Sequence, residues 1–282
     1  MSLSIVIPAK NESASIGSVV AAAAEAYPDA EIIVVDDGST DTTAEVVRAA
    51  GATLVQHPES LGNGAAVKAG ARIAGGDIIA FMDGDGQHDP RELAPLLQKL
   101  EDGYDMAIGA RDTGSHANMG RLFANGLYNG VASLLTGRRI PDLTSGFRVA
   151  RAKLFKEFLY LLPNGFSYPT TITMAFLRSG YPICFEPITA ARRVGKSHIR
   201  PIRDGVRFMV IIFKIATLYS PLKIFLPISG LFFATGLGYY AYTYVTSGRF
   251  TNMSMLVFSA AVIIFLIGLI SEQITALTYS KS

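Results

Sequence analysis

The chain has 282 residues, half of them hydrophobic, and a formal net charge of only +2. This length is sufficient for one α/β domain and an additional region, and we expect no nucleic acid among its partners. The single cysteine, Cys184, excludes an internal disulfide and fits a reducing compartment. Residues 1–8 lack the charged and apolar segments of a signal peptide, and we expect them to form a first strand.

Short apolar runs alternate with helical patterns through the first 111 residues. The predicted strands are Leu3–Ile7, Ile32–Val35, Thr53–Val55, Ile78–Met82 and Met106–Ile108. The predicted helices are Ala14–Ala26, a segment that ends near Ala50, Gly64–Ala74 and Pro90–Leu100. Strands that alternate with helices predict an α/β domain with a doubly wound, mostly parallel sheet.

Polar side chains follow three of these strands. They are Asn11 with Glu12, Asp36 with Asp37, and Asp83 with Asp85. In open α/β sheets, ligands bind at the carboxyl ends of the strands. The turn after the first strand lacks the glycine fingerprint of dinucleotide-binding folds, and no P-loop pattern occurs. The sequence therefore predicts a nucleotide site that is neither dehydrogenase-like nor NTPase-like.

The segment after the fourth strand is the strongest candidate for a metal site. Asp83 and Asp85 supply two hard oxygen donors, and these suit Mg²⁺ or Mn²⁺ better than Zn²⁺. Such a metal would hold a diphosphate. A Ca²⁺ loop is excluded, because His88 stands where the glycine of the sharp turn belongs and Ala94 where the bidentate glutamate belongs. An ordinary Asp-Gly turn remains the alternative.

Four segments resemble the signatures of family 2 glycosyltransferases of the GT-A fold. They are Ile7–Glu12, Val34–Asp41, Asp83–His88 and Asp142–Arg148, and they occur in the family's order. The last segment resembles a motif of the polyprenyl-phosphate glycosyltransferases, the branch to which dolichyl-phosphate mannose synthase belongs. The resemblance extends from about Ser4 to Lys196 and implies a GT-A nucleotide-sugar domain.

The resemblance implies roles on the donor side. Base and ribose would be contacted by Pro8, Asn11, Glu12 and one of Asp36 or Asp37, and the ribose and diphosphate by Asp83. The implied metal ligands are Asp83, Asp85 and Gln87, and the metal is Mg²⁺ or Mn²⁺. Lys68 follows Gly62-Asn63-Gly64 by one helical turn and is a candidate to reach the diphosphate, with a solvated helix face as the alternative.

The resemblance also implies an acceptor site for a lipid phosphate. Arg111 and Arg121 match positions that meet this phosphate in the mannose synthases, and an arginine fork fits phosphate geometry. Further candidates are Arg148, Lys196 and Ser197, although a surface salt bridge is the alternative for Arg121 and Arg148. Asp142 would orient the acceptor or a basic partner. The candidate catalytic residues are therefore Asp85, Arg111, Arg121 and Asp142, whereas His198 is expected to be a surface residue.

The C-terminal part predicts a membrane region. Residues 224–248 and 250–271 are uncharged, and each run is long enough for a transmembrane helix. We predict spans at about 224–247 and 253–275, within a membrane region 224–280, with buried core helices as the alternative. Segment 200–223 is predicted to be an interfacial amphipathic helix on the membrane. Residues 1–199 form the predicted GT-A domain.

The basic residues before the first span predict that the catalytic domain faces the cytoplasm. The resemblance implies inverting transfer of a hexose from a UDP- or GDP-linked sugar to dolichyl or undecaprenyl phosphate. A processive polysaccharide synthase is the first rival, but the chain has no Trp and so lacks the Gln-x-x-Arg-Trp motif. A non-catalytic membrane protein that binds nucleotide sugars is the second. The sugar, and whether the chain forms a homo-oligomer, stay open.

Overall fold

The computed structural model describes residues 1–111, 119–165, 167–189, 210, 213, 217 and 219–279. Of residues 119–125, 127 and 128 it describes the backbone alone. Within these ranges the chain forms an α/β domain followed by two long helices.

A seven-stranded sheet forms the centre of the domain. Its strands are β1 (Leu3–Ala9), β2 (Glu31–Asp36), β3 (Thr53–Gln56), β4 (Ile78–Phe81), β5 (Met106–Arg111), β6 (Arg148–Arg151) and β7 (Ile183–Ile188). Their order is β3-β2-β1-β4-β6-β5-β7. Every pair is parallel except those that β6 makes with β4 and β5. The predicted fold class is confirmed, whereas β6 was not predicted.

Seven helices of the described chain surround the sheet. They are α1 (Ile16–Ala26), α2 (Thr43–Ala49), α3 (Asn63–Ile73), α4 (Leu93–Glu101), α5 (Met119–Thr136), α6 (Ala152–Glu157) and α7 (Tyr168–Arg178). The predicted segment at Pro90 begins with a 3₁₀ turn, Pro90–Glu92, whose cap is Asp89, since its side chain accepts a hydrogen bond from Arg91 N at 2.9 Å. Helix α6 was not predicted.

The alternation of side chains along β1 places apolar groups on both faces of the sheet. Ile5 and Ile7 pack with Ile16 of α1 and Leu96 of α4. Val6 points to the opposite face, where it packs in the core that α3, α6 and α7 complete. Because both faces are covered, the strands are buried and only their ends are open to ligands.

Two apolar helices, α8 (Leu222–Ser247) and α9 (Asn252–Tyr279), pack against each other as a hairpin. Both are long and apolar enough to cross a membrane. A Cβ at Gly268 of α9 would lie 2.5 Å from Cβ of Phe225 in α8, so this position needs glycine for the two helices to pack this closely. The hairpin therefore agrees in length and composition with the two predicted spans.

Candidate active site

A pocket of about 420 Å³ opens at the carboxyl ends of β1, β2 and β4. Its lining includes five of the residues predicted from the sequence: Pro8, Glu12, Asp37, Asp83 and Asp85. The sequence did not single out the side chains of Thr144, Tyr168 and Pro169, which also line it. They come from the segment that enters β6 and from the first turn of α7, so two distant parts of the chain complete the wall.

The turn after β4 brings two carboxylates to this pocket. Asp83 and Asp85 line it together with Gly84, whose carbonyl accepts a hydrogen bond from Ser15 Oγ at 2.8 Å. Asp85 Oδ1 accepts a hydrogen bond from the backbone N of Gln87 at 3.1 Å. Helix α1 and the turn itself therefore fix the position of this carboxylate pair.

Gln87 does not line the pocket of Asp83 and Asp85 in the structure. It lines a second cavity, of about 610 Å³, with His88 and Glu92. Its backbone N donates a hydrogen bond to Asp85, and its amide as a metal ligand stays a prediction.

The carboxylates of the pocket fit a hard divalent cation. No group of three His, Cys, Asp or Glu side chains in the described part of the chain could hold a metal alone. Mg²⁺, however, is ordinarily held by one or two carboxylates and completes its shell with substrate phosphates and water. Asp83 and Asp85 on one pocket wall match that donor set.

The carboxylates after β2 are fully engaged with the protein. Asp37 is buried, and its four acceptor positions receive Nδ1 of His57, Oγ of Ser60 and the backbone N of Leu61 and Gly62, at 2.8–2.9 Å. Burial raises the pKa of Asp37, but these four hydrogen bonds outweigh it, so the pKa lies below its ordinary value. Asp37 therefore holds segment 57–62 in place as one wall of the pocket.

Asp36 is completely buried and lies outside the lining of the pocket. Its carboxylate accepts hydrogen bonds from Ser39 N at 2.9 Å and from Gln56 Nε2 at 3.3 Å. The structure thus corrects the prediction that it is an alternative contact for the donor base.

Asn11 and Glu12 follow β1 and have different surroundings. Asn11 has a positive φ of 54° and joins two loops, because its N donates to Ser39 Oγ and its Oδ1 accepts from Thr40 N, both at 2.9 Å. Glu12 lines the pocket, and its Oε2 accepts a hydrogen bond from Ser15 Oγ at 3.2 Å. Within this pair, the residue that lines the pocket is Glu12, and donor contact by Asn11 stays a prediction.

Lys68 holds a loop of the protein. Its Nζ donates to the carbonyl of Leu162 at 3.0 Å and to Oδ1 of Asn164. The same loop lies so close to α3 that a Cβ at Gly64 would be 2.1 Å from the carbonyl of Pro163. The glycines near Lys68 therefore accommodate this loop, and contact of Lys68 with the diphosphate stays a prediction.

Arg111 and Asp142 form an ion pair behind the pocket wall, next to Thr144, which lines the pocket. Nε and Nη2 of Arg111 bind the two carboxylate oxygens of Asp142 at 2.8 and 3.1 Å, and Nη2 also donates to Oγ1 of Thr144 at 2.9 Å. Burial raises the pKa of Asp142, but the hydrogen bonds and charge of Arg111 and the hydrogen bonds from Thr144 lower it below its ordinary value. Asp142 was predicted to orient either the acceptor or a basic partner, and in the structure it binds the basic side chain of Arg111.

The prediction that Arg148 binds the acceptor phosphate is wrong, because its side chain is completely buried. Nη1 donates to Pro169 O at 3.2 Å and to Thr173 Oγ1 at 3.1 Å, and Nη2 donates to Ser145 O. The guanidinium also lies 5.9 Å from the ring centroid of Tyr168. Burial lowers the pKa of Arg148 to about 10, so it stays charged at neutral pH and anchors the first turn of α7 beside the pocket.

His88 supports the turn of Asp83 and Asp85 from within the domain. It is buried, and its ring stacks on that of Phe147 with centroids 4.7 Å apart. Burial lowers the pKa of His88 more than the charge of Asp85 raises it. This role was not predicted, and its only signal in the sequence is the position of His88 in the motif.

Several predictions lie outside the described residues. They concern Lys196, Ser197, His198, the side chain of Arg121 and most of the interfacial segment 200–223. The backbone of Arg121 lies in α5.

Two family models match the chain. The model described as glycosyl transferase family 2 matches residues 4–159, and the GtrB C-terminal hairpin matches residues 220–277. The chain is 31% identical to a dolichyl-phosphate hexose transferase of Haloferax volcanii, over 72% of this chain and 89% of that protein. It is 29% identical to the glycosyltransferase AglJ of the same organism, over 97% of this chain and 93% of that protein.

The fold resembles that of a glucosyl-3-phosphoglycerate synthase from Mycobacterium tuberculosis, solved with Mn²⁺, UDP-glucose and phosphoglyceric acid. The TM-score is 0.60 at 23% sequence identity, with 76% of this chain and 79% of that chain covered. This similarity concerns the fold of the sheet domain.

Proposed function

Because the chain belongs to glycosyl transferase family 2, we propose that it transfers a hexose from a nucleotide-diphosphate sugar to a polyprenyl phosphate, with inversion. The observation that carries this proposal is the pairing of two sites in one pocket region. The carboxylates Asp83 and Asp85 line the pocket and suit the donor diphosphate and its metal. The ion-paired Arg111 lies outside the lining but donates a hydrogen bond to Thr144 of the pocket wall, and it suits an acceptor phosphate.

The donor would lie between the wall that Asp37 holds and the turn of Asp83 and Asp85. Pro8 and Glu12 line this space from the end of β1, and Glu12 is the acceptor there for a hydroxyl or ring N–H of the nucleoside. We assign the base and ribose to this end of the pocket, and either UDP or GDP fits the proposal.

Asp85 and Asp83 would hold Mg²⁺ or Mn²⁺. The Mn²⁺ and UDP-glucose in the M. tuberculosis synthase support a divalent metal at a fold of this kind. The metal, when bound, supplies positive charge that offsets the charge of the leaving diphosphate.

The residues of the chain must stabilise two anions close together, the acceptor phosphate and the diphosphate of the donor. An acceptor phosphate has a second pKa near 6 and is largely ionised at neutral pH, so its oxygen can attack the anomeric carbon without a strong general base. The bond from that carbon to the nucleoside diphosphate breaks as the new C–O bond forms. Arg111 stabilises the incoming phosphate, and Asp142 keeps its guanidinium in a fixed orientation.

Arg121, Lys196 and Ser197 remain proposed acceptor ligands on the strength of the family resemblance. The H. volcanii relative that is named a dolichyl-phosphate hexose transferase supports a lipid phosphate as acceptor. The hairpin of α8 and α9 supports the same choice, since a lipid acceptor resides in a membrane.

Nucleoside diphosphate release by the purified chain in detergent tests the reaction. A panel of UDP- and GDP-sugars would be compared with and without polyprenyl phosphate. We expect release that requires the lipid phosphate. Sugar polymer formed without it would favour the processive synthase, and absence of release with every donor would favour the non-catalytic binding protein.

We also propose a membrane topology: domain 1–199 and segment 200–223 on the cytoplasmic side and two spans within 224–280. Protease added to sealed vesicles with the cytoplasmic face outward should cut the domain. A reporter fused near Arg249, between the spans, should lie on the opposite side. If the domain and the reporter were found on the same side of the membrane, the two-span topology would be contradicted.

A further inference from the structure

The hairpin meets the sheet domain at one carboxylate of α9. Oε1 of Glu272 accepts a hydrogen bond from Nη2 of Arg178, the last residue of α7, at 2.9 Å. Oε2 of Glu272 accepts hydrogen bonds from Ser220 Oγ at 3.0 Å and from Leu222 N at 3.2 Å. Leu222 is the first residue of α8. One side chain thus joins the sheet domain and both helices of the hairpin.

Glu272 lies at the end of the apolar part of α9. At 1.5 Å per residue it stands roughly 30 Å from Asn252, which is about the thickness of the hydrocarbon core. The remaining turns of α9 pack on the domain: Tyr160 OH donates to Thr278 O at 2.8 Å, and the rings of Phe158 and Tyr279 lie 6.4 Å apart. An ionisable residue at the border of a span is costly unless paired, and Arg178 provides the pair.

Helix α7 connects this joint to the pocket. Its first residues, Tyr168 and Pro169, line the pocket, and Arg178 ends it roughly 15 Å away. Residues 168–176 are all buried. The anchoring of Tyr168 and Pro169 by Arg148 fixes the other end. A helix packed along this length transmits the position of one end to the other.

We propose that Glu272 and Arg178 are positioning residues that set the height of the pocket above the bilayer. This rests on the proposed function, because it takes the acceptor to be a membrane lipid. A lipid phosphate is held at a depth that its chain determines, whereas a nucleotide sugar arrives from solution. A displaced pocket therefore hinders the acceptor reaction and leaves donor binding intact.

The test compares two acceptors with full-length protein in lipid nanodiscs. One is a long-chain polyprenyl phosphate embedded in the disc, and the other is a short-chain, water-soluble prenyl phosphate. For Arg178→Ala and Glu272→Gln we expect kcat/KM to fall about tenfold or more with the embedded acceptor, since displacements of about 1 Å can have such effects. Kinetics with the soluble acceptor and the Kd of nucleoside diphosphate should stay as in wild type.

Two further variants separate positioning from folding. Arg178→Lys, a mild change on the domain side, should recover part of the activity with the embedded acceptor. Arg91→Ala removes an exposed ion pair with Glu25, at 3.6 Å, far from the hairpin, and should change neither acceptor reaction.

Equal losses with both acceptors, or unchanged kinetics with both, would overturn the positioning role. If the wild-type protein is inactive with both acceptors, the proposed function is rejected, and this inference is rejected with it. If the wild type is active and both Arg178→Ala and Glu272→Gln behave like it, the inference is rejected and the proposed function stands.

Discussion

The ends of β2 and β4 have the same kind of sequence and different roles. Asp36 is the last residue of β2 and Asp37 follows it, and Asp83 and Asp85 follow β4. At β2, Asp37 receives four hydrogen bonds and Asp36 two. At β4, both carboxylates line the pocket, and the described hydrogen bond to Asp85 comes from its neighbour Gln87. Asp37 thus holds the pocket wall, whereas Asp83 and Asp85 both line the pocket.

The difference between the two ends comes from donors elsewhere in the chain. Segment 57–62 folds over the end of β2 and supplies the N–H groups that surround Asp37. At the β4 end, segment 142–147 contributes Thr144 to the pocket wall, while its own carboxylate, Asp142, is taken by Arg111. The protein groups that hold a carboxylate at a strand end thus come from loops that are distant in the sequence.

The largest effect should come from Asp85. Asp85→Asn removes a charge from the pocket without changing its shape, and we expect turnover to fall about a hundredfold or more. EDTA should inactivate the wild type, and Mg²⁺ or Mn²⁺ should restore it. The matched control is Asp89→Asn, which changes a helix cap in the same turn. Full activity in EDTA, or in the Asp85 variant, would remove the distinction between the two strand ends.

Asp142 is an intermediate case, because its partner is a cation next to the pocket. Asp142→Asn should free the Arg111 fork and lower kcat/KM for polyprenyl phosphate about tenfold, as expected for losing a charge-assisted interaction. Nucleoside diphosphate affinity, measured by calorimetry, should change little. The control is Asp105→Asn, which breaks the Arg151–Asp105 pair, at 3.0 Å, at the other end of the sheet. Equal effects on donor and acceptor would contradict an acceptor role for Arg111.

Asp37→Asn should act on stability first and on donor affinity only a few-fold. We expect the variant to be less stable at pH 7 by about 1–3 kcal/mol, since buried hydrogen bonds to a charge are lost. The pKa of Asp37 is lowered from 3.8, so its stabilisation is complete above that value and disappears as pH falls through the lowered pKa. Thermal unfolding curves of wild type and variant should therefore converge in acid.

Asp29→Asn, at an exposed site before β2, serves as the control for Asp37. It should leave the melting temperature unchanged at every pH. A difference between wild type and Asp37→Asn that grows as pH falls would contradict the role assigned to its hydrogen bonds.

The smallest effect should come from Lys68. Lys68→Met keeps the length of the side chain but removes the hydrogen bonds to Leu162 and Asn164. We expect a loss of about 1 kcal/mol of stability and less than about threefold weaker nucleoside diphosphate binding, with exposed Lys153→Met as the control. A tenfold loss of affinity for the nucleoside diphosphate would show that Lys68 binds the diphosphate and that its contact with the loop is of less importance.

The features predictable from sequence were those carried by periodicity and local motifs. Buried strands such as Ile78–Phe81 are apolar runs, and α8 and α9 are uncharged over the width of a membrane. Strand β6 was missed because Arg148–Arg151 has four residues, two of them arginines. It is a strand only because β4 and β5 flank it on both sides.

The site was predictable in residue type and less so in residue role. Sequence alone marked Asp37, Lys68 and Arg148 as polar groups near a strand end or a motif. Whether a polar group meets substrate depends on which donors and acceptors the distant chain brings to it. The 57–62 wall and the 162–164 loop satisfy Asp37 and Lys68, and the first turn of α7 covers Arg148.

Strand β6 also has a consequence for how the chain is assembled during synthesis. The strands β1 to β4 come from the first 81 residues and can pair as soon as they leave the ribosome, whereas β5 has no partner until β6 and β7 have been made. At about 5–20 residues per second, the exposed edges of β4 and β5 wait a few seconds for the strand that joins them. A nascent chain paused in this interval carries a completed nucleotide half beside an unpaired β5, and would be the form most exposed to aggregation and most in need of a chaperone.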